Sequence, residues 1–441
     1  MNEFDLIAIQ QIIRDQCGKG AKFQIYNRSF KSPMKFVLDL AEEASASKFM
    51  VYWVEGGLPE NFCLLDFEEK PVVFNTRFLE MTGLIRSILT EDRISEDMTV
   101  ELSERLCLKI MAEFSLRDGV PDIAAFLMQK SIQGQTLFLS EKNLLMQIEA
   151  EPLSERYMVF WFFGLLHELG HFSPEMSEAA RLPEDHPLSD QAIATLVNSA
   201  LELFPYPDDL KKQAMDWVYS PGSDNILAAQ HLREEALADM FATRVLFFAT
   251  EAVLQRSNIE FDLVQFIYEL GLFLNVIAVI NRCKKVARTA RPEDMNRNAA
   301  MATAFHPVAI AVRLNLLRDF LALFFATTLS SRRSETLTQS KIDEWSKHIT
   351  ELLNQLKPSL DLMEKGLAKA MRYVFFPNER DSNIGTKLFN ELADTKNPSR
   401  IILKDFLALA ESLDVISPFL LAIQLMVDDD LRKKGQFLQI Q

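Results

Sequence analysis

The sequence predicts a predominantly α-helical α+β protein. Glycine and proline are scarce, at 14 and 17 of 441 residues, and a low content of these helix breakers favours long helices. Apolar residues recur with helical spacing through most of 151–330 and 341–441. Short runs of β-branched and aromatic residues lie within the first 150 residues, so we expect a small N-terminal β-sheet there.

The length of 441 residues suggests two or three domains at about 150 residues each. We expect a mixed α/β region over 1–150, a helical core over 151–330 and a C-terminal helical region over 331–441. The polar segment 329–340 is the predicted boundary between the last two.

Within the first region we expect a helix over 2–17 and four strands. The predicted strands are 22–26, 49–54, 62–67 and 72–75. Glu68-Glu69-Lys70-Pro71 separates the last two strands, which indicates a hairpin. Three helices follow, over 76–89, 100–116 and 121–132.

The core region is predicted to be almost entirely helical. Its helices are expected over 154–172, 189–204, 208–219, 226–253, 263–286 and 306–328. The basic, polar segment 284–298 is predicted to be a mobile loop. In the last region, 376–385 is expected to be a loop, and the apolar segment 413–427 is either core or a dimer surface.

Charge and cysteine content limit the class of protein. The net charge of −15 argues against a nucleic-acid partner. Four cysteines without a C-x-x-C pair, and an acidic N-terminus without a basic signal region, predict a cytoplasmic protein. The longest stretch without Asp, Glu, Lys or Arg has 15 residues, 298–312, whereas a membrane span needs about 20, so no integral span is expected.

The most informative residues are His167-Glu168-Leu169-Gly170-His171, an H-E-x-x-H motif. Residues i and i+4 share one helix face, so both imidazoles can bind one metal ion while Glu168 addresses a water molecule. The preceding run, 159–166, is apolar on all sides, which indicates a central helix where unpartnered histidines would be costly. The alternative is a pair of core histidines bonded to backbone carbonyls.

A catalytic zinc site needs a third protein ligand. Glu235 and Asp239 stand four residues apart on a strongly helical segment. We expect Glu235 to bind the metal and Asp239 to hold the far ring nitrogen of a histidine ligand. Glu234 and His231 are the alternatives to Glu235, and a solvated acidic helix surface is the non-functional interpretation.

These motifs, with a later His306-Pro307 and Arg313, resemble the gluzincin metallopeptidases over about 155–320. The most similar group is the family of CAAX prenyl endopeptidases and HtpX and Oma-type quality-control proteases. The resemblance implies a zincin-like core, one zinc ion per chain, an oxyanion-stabilising His306 and an Arg313 that supports Asp239. His186-Pro187 is an alternative His-Pro pair. Pro307 also suits the first turn of a helix, with His306 at its cap.

Those relatives are membrane proteins, so the absence of an expected span points to a soluble branch. A weaker resemblance to Lit-type phage-exclusion peptidases implies a role in bacterial defence. The resemblance therefore predicts a zinc metallopeptidase that hydrolyses peptide bonds, with Glu168 as the general base.

The protein or peptide substrate is expected to extend a sheet along an edge strand. Val72, Val73 and Phe74 form the preferred candidate strand, and 62–67 is the other. The spacing of 64 residues from His171 to Glu235 leaves room for extra helices of the kind that cover a cleft, which predicts selective, regulated cleavage, with a regulatory protein as a partner. The alternatives are a zinc-stabilised sensor or adaptor without activity, and a membrane-associated quality-control protease.

Overall fold

The computed structural model shows a helical protein with one small sheet, which confirms the predominantly α-helical α+β class. It describes residues 3–19, 21–26, 33–90, 95–132, 153–178, 182–183, 185–220, 225–289, 297–375, 406 and 408–409. The expected loop 376–385 and the apolar segment 413–427 lie outside these ranges.

The described helices number fourteen. They are α1 (Glu3–Cys17), α2 (Pro33–Ser45), α3 (Thr76–Thr90), α4 (Glu96–Arg117), α5 (Pro121–Ile132), α6 (Glu155–Gly170), α7 (Pro174–Glu178), α8 (Asp190–Leu201), α9 (Asp208–Val218), α10 (Ala229–Arg256), α11 (Leu263–Thr289), α12 (Arg297–Arg332), α13 (Gln339–Gln355) and α14 (Lys357–Phe375). Most match the predicted helices to within a few residues at each end. The sequence prediction missed α2.

The sheet has four strands in the order β1-β2-β4-β3, namely β1 (Lys22–Ile25), β2 (Met50–Glu55), β3 (Phe62–Cys63) and β4 (Pro71–Asn75). β2 and β4 are parallel, whereas β3 and β4 are antiparallel with Phe62 opposite Val73. The predicted hairpin is therefore confirmed, although its first strand is only two residues long instead of the six expected over 62–67.

The prediction that Val72, Val73 and Phe74 form an edge strand is wrong. They lie in β4, which is paired with β2 on one side and β3 on the other, and all three are at most 1% exposed. A strand buried on both faces has an unbroken apolar run instead of alternation, and these residues have that pattern. The short β3 is the edge strand on this side.

His306 lies inside α12, so the expectation that it caps a helix start is wrong. Pro307 lacks the N–H that a helix uses, and such a residue usually breaks or kinks a helix. Here Phe305 and Val308 on either side of the pair are fully buried, at 0% exposure. We attribute the uninterrupted helix to the burial of these neighbours, which favours helix continuation.

The segment predicted to be a mobile loop, 284–298, is helical at both ends. α11 continues to Thr289 and α12 begins at Arg297, while 290–296 lies outside the described part of the chain. The basic residues Lys284, Lys285 and Arg288 therefore have fixed positions along the last turns of α11. This placement becomes important for the cavities described below.

Two of the three hydrophobic clusters among the described residues include the helices that carry the site residues. The larger draws on α2 to α6, the sheet and α10 to α14, and so includes residues from all three predicted regions. The smaller is formed mainly by α8, α9 and the first halves of α10 and α12. Because α10 and α12 contribute to both clusters, each is held along most of its length.

One described helix, Leu263–Arg288 within α11, is long and apolar enough to cross a membrane, with a mean hydropathy of 2.0 in its most apolar window. Of that window, 61% is buried inside the protein. A core helix of a globular protein has the same length and composition, so this observation alone does not distinguish the two. The expectation of no integral span stays a prediction.

Candidate metal centre

The H-E-x-x-H residues stand at the end of α6. Ser154 begins the helix by accepting a hydrogen bond from the Tyr157 N–H at 3.2 Å. The helix then crosses the larger core and ends with His171 as its C-terminal cap. Its last turn therefore projects His167 and His171 from a rigid, buried support.

Gly170 allows α6 to approach α10 closely. A Cβ atom at this position would lie 2.8 Å from the Cα atom of Ala238 and 2.9 Å from its carbonyl oxygen. Both contacts are too short for a side chain, and neither partner atom is flexible. The glycine thus sets the distance between the helix of the two histidines and the helix of Glu235.

His167, His171 and Glu235 converge on one point. His167 Nε2 lies 3.6 Å from Glu235 Oε2, and His171 Nε2 lies 3.8 Å from Glu235 Oε1. A tetrahedral zinc ion with nitrogen and oxygen ligands holds its donor atoms about 3.4 Å apart. Two imidazoles and one carboxylate form one of the donor sets of catalytic zinc sites. Among the described residues, this is the one group whose ligand atoms lie close enough together to hold a metal ion.

Asp239 fixes the orientation of His167. Its Oδ1 lies 2.9 Å from His167 Nδ1, and its pKa is held below the usual range by the charge of Arg313, which outweighs burial. An ionised carboxylate only accepts hydrogen bonds, so the proton of His167 must sit on Nδ1. The lone pair of Nε2 then faces Glu235 and the proposed metal position.

Arg313 binds two acids of α10, Asp239 and Glu235. Its Nε and Nη2 donate to Asp239 at 3.0 and 2.9 Å, and its Nη1 lies 2.7 Å from Glu235 Oε2. Burial raises the pKa of Glu235, but Arg313 and then His167 outweigh it and hold the carboxyl ionised. Arg313 is thus placed to support Asp239, and it contacts Glu235 as well.

The two histidines differ in their tendency to take up a proton. Burial lowers the pKa of His167, but the hydrogen bond and charge of Asp239 outweigh it and the pKa is raised. Burial and the charge of His167 lower the pKa of His171 to about 4. His171 is therefore neutral at pH 7, which is the state that binds a metal.

Glu168, the expected general base, is not one of the converging ligands and instead contacts Cys63 of β3. Burial, the largest influence, raises its pKa, while His167 and a hydrogen bond from Cys63 act in the opposite direction. Burial also raises the pKa of the Cys63 thiol, so the thiol stays protonated and donates to Glu168. The edge strand β3 thereby lies directly beside the expected general base.

A cavity of about 210 Å³ opens at these residues. His167, Glu168, His171 and Glu235 line it, as does Asn61 from the segment before β3. Phe78, Phe114, Asn281 and Lys284 are among the other lining residues. The cavity therefore brings together the candidate metal ligands, the expected base and the segment before β3.

Asn61 lines this cavity and has an unused hydrogen-bond donor. Its Oδ1 accepts the N–H of Asn75 at 2.8 Å, whereas its buried Nδ2 makes no hydrogen bond within the described residues. A Cβ atom on Gly164 would lie 3.2 Å from that Nδ2. Gly164 precedes Glu168 by one helical turn, so the donor stands one turn from the base.

His306 lies on the far side of Glu235 from Glu168. It is 6% exposed and lines a second cavity of about 220 Å³ together with His231, but it does not line the cavity at Glu168. Burial and the charge of Lys285 lower its pKa well below the usual range. Its expected contact with an oxyanion at the metal stays a prediction.

The alternative ligands are placed elsewhere. Glu234 accepts a hydrogen bond from Gln230 at 2.9 Å on the exposed side of α10. His231 lines the second cavity, and it is not part of the converging group. His186 accepts the Leu188 N–H in a turn and lines neither cavity.

Sequence reasoning missed three residues of the site: Asn61, Cys63 and Lys284. Each comes from a segment remote in sequence from H-E-x-x-H, and none belongs to a recognisable motif. A partial signal existed, because Cys63 falls in a predicted strand that was an alternative substrate edge. Comparison of the chain with protein-family models, with curated proteins and with solved structures finds no match.

Proposed function

We propose that the chain is a zinc-dependent endopeptidase. The observation that carries this proposal is the convergence of His167, His171 and Glu235, with Glu168 in the same cavity. A zinc ion held by these three residues supplies a Lewis acid toward a peptide carbonyl and toward water. Zinc that serves only as a structural clamp needs no such base.

Glu168 is the proton carrier in the proposed reaction. It takes a proton from a water molecule as the water oxygen forms a bond to the carbonyl carbon of the substrate. It then gives that proton to the amide nitrogen as the carbon–nitrogen bond breaks, which releases a carboxyl product and an amine. Its raised pKa suits the second step, because a weaker acid holds the proton until the amine is ready.

The donor that we assign to the substrate carbonyl is Asn61 Nδ2. It lines the cavity at Glu168 and has no partner among the described residues, whereas His306 lines the neighbouring cavity. A fixed donor of this kind stabilises the negative charge that develops on the carbonyl oxygen. The proposal therefore moves this role from α12 to the segment before β3.

A zincin-like core is the fold that fits this proposal. Its support is the packing of α6 against α10, which brings the third ligand to the histidines, and the edge strand β3 beside Glu168. An extended peptide pairing with β3 would pass Glu168. All four cysteines are unpaired, which agrees with the proposed cytoplasmic location.

Glu168→Gln tests catalysis without removing a metal ligand. We expect the zinc-loaded parent to cleave members of a mixed peptide library, read by mass spectrometry of the products. The Glu168→Gln protein should keep its zinc and lose at least about 100-fold in rate. Equal cleavage by both proteins would refute the mechanism.

Glu234→Gln is the matched control, because it changes the adjacent acid on the exposed side of α10. Cleavage by this variant should equal that of the parent. If the parent binds zinc but cleaves no peptide, the alternative of a zinc-stabilised sensor or adaptor replaces the peptidase.

A further inference from the structure

The second cavity lies directly beside the candidate metal centre. Glu235, Asn281, Lys284 and Arg313 line both cavities, so a bound peptide can reach from one into the other. Successive residues of an extended chain are about 3.3 Å apart. A side chain or chain end next to the cleaved bond therefore has access to the second cavity.

The two cavities carry opposite charge. The cavity at Glu168, here called the metal cavity, has three carboxylates in its lining and two cations, Lys284 and Arg313. The carboxylates are Glu60, Glu168 and Glu235. The second cavity is lined by Lys284, Lys285, Arg288 and Arg313 against Glu235 as its one carboxylate. The excess of positive charge in the second cavity contrasts with the net charge of −15 of the whole chain.

Two of these cations contact acids at the metal cavity. Lys284 Nζ lies 2.5 Å from Glu60 Oε1, and Arg313 binds Asp239 and Glu235. Lys285 and Arg288 stand on the same face of α11, at one and four residues after Lys284, and extend the positive surface toward the cavity entrance. Arg288 is exposed, so an entering anion meets it first.

Part of the lining of the second cavity is apolar. Leu232, Ala309 and Ile310 contribute it, beside the imidazoles of His231 and His306. Low-polarity walls strengthen the attraction between the basic residues and an anion, because less water screens the charges. The cavity combines a basic side and an apolar side at the size of a single side chain.

We propose that the second cavity binds an acidic side chain of the peptide substrate next to the cleaved bond. This inference rests on the proposed endopeptidase function. It adds substrate selectivity, since a peptide with a carboxylate at this position is held by Lys285 and Arg288 while its backbone lies at Glu168.

The first test compares peptides that differ only in charge. A fluorogenic peptide that the parent cleaves is made with Glu or Gln at each position around the cut, and with a free or an amidated C-terminus. We expect kcat/KM to be at least about tenfold higher for Glu than for Gln at one position, and the difference to shrink as salt is raised. A preference for the free over the amidated C-terminus instead would contradict a side-chain site. Equal rates for all charged and neutral pairs would overturn the inference while leaving the peptidase function intact.

The second test reverses the charge of the cavity. In the double variant Lys285→Glu/Arg288→Glu, the ratio of kcat/KM for the Glu peptide to that for the Gln peptide should fall at least tenfold relative to the parent. Arg318→Glu makes the same kind of change on α12 at a half-buried arginine that lines neither cavity, and it should leave the preference unchanged. The milder variant Lys285→Gln/Arg288→Gln repeats the test if the double reversal unfolds the protein. A preference that survives in both double variants would overturn the inference.

A binding measurement separates this inference from catalysis. Rhodamine-labelled Glu and Gln versions of one peptide are titrated with the Glu168→Gln protein, and anisotropy is recorded. Tighter binding of the Glu version, lost in the double variant, supports the carboxylate site even if no peptide is cleaved. Equal binding of both versions contradicts it.

Discussion

Asp239 Oδ1 and His167 Nδ1 lie 2.9 Å apart, and this hydrogen bond decides which nitrogen of His167 faces the candidate metal position. The same carboxylate is held by two N–H groups of Arg313, so it cannot rotate away. The ring of His167 is therefore oriented before a metal arrives. An oriented ligand loses less entropy on binding, which favours tight metal binding.

Asp239→Asn should weaken zinc binding. The variant keeps the shape of the side chain, but it loses the charge that outweighs burial at His167 and ends the strict preference for a proton on Nδ1. We expect zinc affinity to fall by about 10–100-fold, measured by competition with a chromophoric chelator. The control is Asp319→Asn, because Asp319 is an exposed acid that forms an ion pair with Arg318. Unchanged affinity in Asp239→Asn would show that this hydrogen bond does not orient the ligand.

Glu168→Gln should stabilise the metal-free protein in a pH-dependent way. Burial raises the pKa of Glu168 in the folded state above its unfolded value, so the ionised carboxylate costs stability at pH values above the folded pKa. That cost disappears as pH falls below the unfolded pKa, because the group is then protonated in both states. We expect the Tm of the Glu168→Gln protein to be higher than that of the parent at pH 7.5.

The rise in Tm should vanish near pH 4, and thermal unfolding followed by circular dichroism at both pH values measures it. Glu234→Gln provides the comparison, since Glu234 lies on the exposed side of α10. An increase that is equal at both pH values would contradict the assigned cause.

Gly170→Ala should separate α6 from α10. The added methyl group would meet the backbone of Ala238 at 2.8 Å, and the helices must move apart to admit it. We expect a loss of about 1–3 kcal/mol in the free energy of unfolding. Zinc affinity should fall as well, because the histidines and Glu235 stand on the two separated helices. Urea unfolding and chelator competition measure the two effects, and a variant with parental values in both would refute the spacing role of Gly170.

Asn61→Asp should reduce turnover without removing zinc. Aspartate keeps an acceptor for the Asn75 N–H but lacks the buried Nδ2 donor. If Asn61 stabilises the carbonyl oxygen, kcat should fall by about 100–1,000-fold while the metal content stays at the parental level. Asn61→Ala removes donor and acceptor together and should lose at least as much. A parental kcat in both variants would return the oxyanion role to His306 or to another donor.

The sequence allowed much of the site to be predicted because its key residues are spaced by helical turns. His167 and His171, and likewise Glu235 and Asp239, each fall four residues apart, and the structure places each pair on one helix face. The approach of α6 to α10 depends on Gly170 meeting Ala238, a contact across distant segments. Such contacts have no periodic signal, which is why Asn61 and Cys63 were not predicted as site residues.

Two elements were predicted incorrectly, for different reasons. Pro307 has the residue type of a first helical turn, but burial on both sides continues α12 through it. The unbroken apolar run of β4 is the pattern of a strand buried on both faces, and the order of the strands agrees with that pattern and not with an edge position. The helix α2 was missed although Met34, Val37, Leu38 and Ala41 have the i, i+3, i+4, i+7 spacing of a buried face.

The central claim is that His167, His171 and Glu235 hold a catalytic metal, and the metal content of the purified protein tests it most directly. Zinc is measured by mass spectrometry in the parent, in Glu235→Ala and in the control Glu234→Ala after reconstitution and dialysis. We predict one zinc ion per chain in the parent and in Glu234→Ala, and its loss from Glu235→Ala. A parent without zinc, or a Glu235→Ala variant that keeps it, would contradict the account.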